Sequence, residues 1–118
     1  MKSFKELKCW QFGKMLRNDV KNLILTFPSH EKYELVSQMR RASRSVTHNI
    51  AEGFGRFHHK ENIQFCRISR GSLTELEDQI DVALDENYIT KDQAERFDNQ
   101  INEVAKILNG YINYLSKQ

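Results

Sequence analysis

The chain has 118 residues, 39% of them hydrophobic and 29% charged, with one proline, five glycines and two cysteines. That is the common size of one domain, so a single domain over 1–118 is expected, too apolar for disorder and too poor in turn residues for a β-sandwich or barrel. The formal net charge is only +2, but the charge is unevenly spread, and such asymmetry points toward a polyanion or a charge-complementary partner subunit.

The first amphipathic segment opens at Ser3-Phe4-Lys5-Glu6, a Ser-x-x-Glu capping box in which each side chain can satisfy the other's backbone N–H. Leu7, Trp10, Leu16, Val20, Leu23 and Phe27 then recur mostly at three- and four-residue steps, the period of a helix with one buried face. Pro28 disfavours helical geometry at the residue before it, so the helix should stop ahead of Phe27-Pro28. The second segment runs from about Glu31 to Gly53, striped by Leu35, Met39, Ala42, Val46, Asn49 and Gly53 and flanked by Val36, Ser43 and Ile50. Gly53-Phe54-Gly55 offers the left-handed freedom of a helix exit, and small residues on the stripe would let a neighbour approach closely.

The third segment starts near His59 or Lys60 and reaches about Glu86, with Phe65, Cys66, Ser69, Leu73, Leu76, Ile80, Ala83 and Leu84 on its buried side. Gly71 falls inside it, where glycine costs about 1 kcal/mol relative to alanine; a close helix–helix contact would account for it. Asn87-Tyr88-Ile89 is a short connection, and Thr90 with Gln93 forms a second capping box opening the fourth helix. Ala94, Phe97, Ile101, Val104, Leu108, Ile112 and Leu115 mark that helix's apolar stripe. Short breaks between long helices force antiparallel neighbours, so the expected fold is all-α, an antiparallel up-down-up-down four-helix bundle.

No apolar run approaches a membrane span, and the opening residues hold no hydrophobic signal core, so a cytoplasmic location is expected. Cys9 and Cys66 lack Cys-x-x-Cys spacing and read as small buried apolar residues. Di-metal bundles need Glu-x-x-His motifs, which are absent here, and one His48/Glu52 pair supplies too few ligands. With no nucleophile signature and no phosphate-cradling glycine loop either, no catalysis, metal or cofactor is expected.

Residues 40–70 hold seven Lys/Arg against two Asp/Glu, a balance of +5, whereas residues 71–118 hold four against ten, a balance of −6. Arg40, Arg41, Arg44, Arg56, Lys60, Arg67 and Arg70 therefore stand as candidate phosphate contacts, since polyanion binding needs cations presented together. A second reading docks this basic segment on the acidic helices of a neighbouring subunit. Asn49 and Glu52 on one helix, with Ser72 and Glu75 on the next, are read as a polar network that fixes register, with Arg40, Arg44 or Arg70 as partners.

The runs Gln38-Met39-Arg40-Arg41-Ala42, Asn49-Ile50-Ala51-Glu52-Gly53-Phe54-Gly55-Arg56 and Arg70-Gly71-Ser72-Leu73-Thr74-Glu75-Leu76, with Leu7, Trp10 and Phe27-Pro28, carry a resemblance over essentially the whole chain. The sequence resembles the bacterial four-helix bundle proteins encoded by intervening sequences in 23S ribosomal RNA genes, relatives of the accessory variability determinant of diversity-generating retroelements. The resemblance implies a ring-like homopentamer without enzymatic activity. The retroelement relatives bind nucleic acid and a reverse transcriptase through basic surfaces, so RNA, DNA or a reverse transcriptase are the partners that it implies.

Overall fold

The structure, a computed structural model, describes residues 2–118; Met1 lies outside them. Four helices follow one another: α1 (Lys8–Ile24), α2 (Leu35–Gly55), α3 (His59–Asp85) and α4 (Lys91–Ser116). Among the described residues there is no strand. Packing joins α1 with α2, α2 with α3, α3 with α4 and α4 with α1, while α2 and α4 stand diagonally opposed. This is the up-down four-helix bundle that the four stripes predict, a rod of 45 × 24 × 19 Å. At about 1.5 Å per residue, the 27 residues of α3 span almost its full length.

The stripes become the core. Leu16, Val20, Met39, Val46, Ile50, Leu73, Leu76, Ile80, Val104 and Leu108 are all essentially sealed from solvent. Burying each such side chain contributes roughly 1.5–3 kcal/mol, which explains why helices with polar outer faces hold together. Cys9 and Cys66 are buried and unpaired. Burial pushes the Cys9 thiol up to about 11 and the Cys66 thiol up to about 12, so both behave as the small apolar residues expected of them.

Helix ends follow local chemistry, with four departures from the sequence reading. The Ser3/Glu6 capping box is present, but it closes a 3-10 turn over Phe4–Glu6, and α1 begins only at Lys8. Leu7 is extended (φ −71°, ψ 127°) because the chain must swing its side chain into the core, with Phe4 packed edge-on against Trp10. Secondly, α2 starts at Leu35 rather than near Glu31. A 3-10 turn occupies Ser29–Glu31, and Glu31 instead caps α2 from outside, its Oε1 accepting from the Leu35 N–H at 3.3 Å.

Thirdly, no glycine takes the left-handed conformation at the end of α2. The helix runs through Gly55, and Phe57 (φ 59°) makes the turn. For a side-chain-bearing residue this costs roughly 1–2 kcal/mol. Gly53 serves a different purpose: a Cβ there would sit 2.7 Å from Asn62 Oδ1 and 3.0 Å from both the Asn62 carbonyl oxygen and Phe65 Cβ. It is a point of close approach between α2 and α3. Lastly, Gly71 has open space around its missing Cβ, so close contact does not explain it. The Thr90/Gln93 capping box opens α4 as expected, and Asn87 (φ 62°) turns the chain ahead of it.

Candidate nucleic-acid interface

Arg40, Arg41 and Arg44 occupy little more than one turn of α2, and the antiparallel packing of α1 brings further cations to them. A groove between the two helices is lined by Arg17, Lys21 and Ile24 from α1 and by Arg40, Ser43 and Arg44 from α2. A second groove along α2 is lined by Ser37, Arg40, Arg41, Arg44, Ser45, His48 and Asn49. Arg40 and Arg44 belong to both, so the two form one surface. No carboxylate lines either groove. Among the described residues, none of these five cations has a carboxylate within 4 Å. Arg17 is the one held in place, its Nη1 donating to Thr47 Oγ1 at 2.9 Å.

The other expected phosphate contacts lie elsewhere. Arg56 sits at the α2–α3 end of the bundle, 3.9 Å from both Glu52 and Glu61 and with its guanidinium 5.0 Å from the Phe65 ring centre. Lys60 is exposed one turn beyond. Arg70 donates to Asn109 Oδ1 of α4 at 2.9 Å. That places it on the α3–α4 flank, whereas Ser69 and Ser72 of α3 face α2. The seven residues thus divide into a groove cluster (Arg40, Arg41, Arg44), an end cluster (Arg56, Lys60), Arg70 on the α3–α4 flank and Arg67, exposed on α3. Arg17 and Lys21, which complete the groove, are missed by a linear reading because they lie a helix away in sequence; their i, i+4 spacing beside the buried Leu16 and Val20 was the available signal.

The polar network is narrower than the sequence reading drew it and centres on a residue that reading did not use. Asn49 is half-buried and its Nδ2 donates to the Ser45 carbonyl at 2.8 Å and to Ser45 Oγ at 2.9 Å. Ser45 Oγ in turn pairs with Ser72 Oγ at 2.8 Å, crossing from α2 to α3. One turn away Ser69 Oγ donates to the Val46 carbonyl at 2.8 Å, again between these helices. Glu52 and Glu75 stand outside the network: Glu52 is exposed beside Arg56, and Glu75 accepts from Gln79 Nε2 at 3.1 Å on its own helix. The carbonyl and hydroxyl of Ser45, not arginines, accept from Asn49, since Ser45 lies one turn below it on the same helix.

The acidic half forms the opposite flank. Burial raises the Asp98 carboxyl above the usual carboxylate range, with Glu77 and Asp81 of α3 adding repulsion. Among the described residues, Asp98 Oδ1 and Gln79 Oε1 are buried without a hydrogen-bond partner. No three His, Cys, Asp or Glu side chains among the described residues come together as metal ligands, and no helix among them is long and apolar enough to cross a membrane.

Fold and surface together define a small helical bundle that carries a carboxylate-free cationic groove on one face and an acidic flank on another. The sequence matches the family model for 23S rRNA-intervening sequence proteins over residues 5–110, and the chain belongs to that family. The fold is also similar to a crystal structure of a protein of unknown function from the S23 ribosomal protein family of Bacteroides thetaiotaomicron. The TM-score is 0.82 at 22% identity, covering 89% of this chain and 95% of that one. No curated protein matches the chain.

Proposed function

We propose that this protein is a non-catalytic, oligomeric nucleic-acid-binding module that holds phosphates in the α1–α2 groove. The observation that supports the reading is the convergence of Arg17, Lys21, Arg40, Arg41 and Arg44 with no carboxylate among the groove-lining residues. Cations left unpaired on a rigid helical surface are repelled by one another and are relieved by a polyanion, with arginine adding bidentate contacts. The family description refers to rRNA sequence, which makes structured RNA the first polyanion to test and duplex DNA the second. With five phosphates neutralised, the logarithm of affinity should fall against the logarithm of salt with a slope of about −4 to −5 on a duplex.

The experiment is a filter-binding titration over a salt series with the wild type and an Arg40→Glu/Arg41→Glu variant, helical content being checked by circular dichroism. Salt-steep binding by the wild type that the variant loses, with assembly mass unchanged, supports the reading. Absence of salt-sensitive binding to both RNA and DNA ends it.

The mutual repulsion around Asp98, Glu77 and Asp81 favours a second reading, a protein-interaction scaffold. Here the basic groove meets the acidic α3–α4 flank of a neighbouring copy, as in a ring such as a homopentamer, or a partner protein such as a reverse transcriptase. The same variant separates the two, because it would then reduce the mass measured by sedimentation or release the partner protein.

A further inference from the structure

The end of the bundle where α2 finishes and α3 begins carries a feature that the groove does not use. A cavity of about 510 Å³ opens there, lined by Leu7, Phe54, Phe57, His58, His59, Asn62, Tyr111, Tyr114 and Leu115. That volume is ordinary for a small-ligand pocket, for which roughly 300–1,000 Å³ is typical. Two aromatic pairs supply the walls, and they come from the diagonally opposed helices. Phe54, in the last turn of α2, and Phe57, in the turn that follows it, have ring centres 6.4 Å apart. Tyr111 and Tyr114, from the last turns of α4, lie nearly parallel at 14° with centres 6.4 Å apart. Asn62 also lines the cavity, its Nδ2 donating to Tyr111 Oη at 3.0 Å, which anchors the tip of that ring.

The outer rings are unusual for a folded chain. Phe57 is 85% exposed and Tyr114 58% exposed, and Phe57 is held at φ 59°, so a strained backbone presents an aromatic ring largely to water, with Phe54 as its aromatic neighbour. Backbone outliers of this kind concentrate at ligand-binding positions. Two cations flank the cavity in sequence, Arg56 ahead of Phe57 and Lys60 after His59, and no carboxylate lines the cavity itself. Glu52 and Glu61 hold Arg56 from outside it.

We infer that this cavity is a base-stacking site for an unpaired nucleobase of single-stranded RNA, with Phe57 and Tyr114 taking the base and Arg56 and Lys60 its flanking phosphates. The inference rests on the reading of the protein as a nucleic-acid binder and adds the kind of strand that it would select. Aromatic faces accept any base because every base has a π-face, while neighbouring cations track the backbone. The duplex-binding groove and this cavity are separate places: the groove meets phosphates of any helix, and the cavity admits only a base that is already free of its partner.

The test uses a short single-stranded oligoribonucleotide carrying one 2-aminopurine, whose fluorescence is quenched on stacking, beside a fully paired duplex. Phe57→Ala/Tyr114→Ala removes the two exposed rings, and Arg40→Glu/Arg41→Glu serves as the groove control. The wild type should quench the probe, and the aromatic variant should lose the quenching and about tenfold or more of its single-strand affinity. Its duplex affinity and salt slope should stay unchanged. Equal quenching and affinity in the wild type and the aromatic variant overturn the inference while leaving the groove reading intact. Loss of quenching only in the aromatic variant, with the groove variant binding duplex normally, removes the groove reading and keeps the cavity. A change of assembly mass in the aromatic variant overturns the inference in favour of an interface between copies, and absence of binding to either probe by the wild type ends both.

Discussion

Replacing Gly53 and Gly71 by alanine should have opposite effects, although both lie in helices. Alanine is favoured over glycine in a helix by about 1 kcal/mol. At Gly71 nothing lies within 4 Å of the new methyl group, so Gly71→Ala should stabilise the protein by about that amount. At Gly53 the methyl carbon would lie 2.7 Å from Asn62 Oδ1 and 3.0 Å from the Asn62 carbonyl oxygen. Moving the Asn62 side chain disturbs its bond to Tyr111 Oη and the bond that it accepts from the Cys66 thiol, and the carbonyl moves only with α3 itself. Overpacking of this kind costs about 1–3 kcal/mol and a lost hydrogen bond about 1 kcal/mol more. After the propensity gain, Gly53→Ala should be left less stable than the wild type by about 1–3 kcal/mol. The two variants should therefore differ by about 2–4 kcal/mol, or about 10 °C or more in Tm, in urea and thermal unfolding followed by circular dichroism. A Gly53→Ala protein as stable as the wild type would refute the close approach of α2 and α3.

Two further outcomes follow from charge. Tyr88 Oη donates to Glu31 Oε2 at 2.7 Å, and this bond holds the Glu31 carboxyl below its ordinary range. A lowered carboxyl contributes stability above its unfolded value and loses it as pH falls through the folded one. Tyr88→Phe should therefore melt below the wild type at neutral pH and converge with it in acid. Asp98 has the opposite sign: its raised carboxyl penalises the charged form, so Asp98→Asn should raise Tm at neutral pH, and the gain should disappear once pH falls low enough to protonate Asp98 in the wild type.

The fold was legible because it rests on periodicity. Leu73, Leu76, Ile80 and Ala83, for instance, recur at three- and four-residue steps and all face the core, and the Thr90/Gln93 box marks a helix start that packing does not contest. Where packing does contest a local signal, the local reading fails. The Ser3/Glu6 box could not carry a helix past Leu7, which the core draws inward, and the glycines after Ile50 look like an exit although the turn falls on Phe57. The groove was half legible, since Arg40, Arg41 and Arg44 are neighbours in sequence, but Arg17 and Lys21 join them only through the antiparallel return of the chain. Charge type alone put Arg70 with the groove, and its bond to Asn109 puts it on another flank.

The seam between α2 and α3 is engaged at successive levels: Ser45 with Ser72, Ser69 with the Val46 carbonyl, and Gly53 against Asn62. Sliding one helix along the other by a turn, about 5.4 Å, would unseat all of these at once and strand buried hydroxyls. Shear by a whole turn is thus costly for this hairpin, whose two helices are locked in register. The seam between α1 and α4 is the looser one, bridged by Gln100 Nε2 donating to Asp19 Oδ2 at 2.9 Å beside an open cleft.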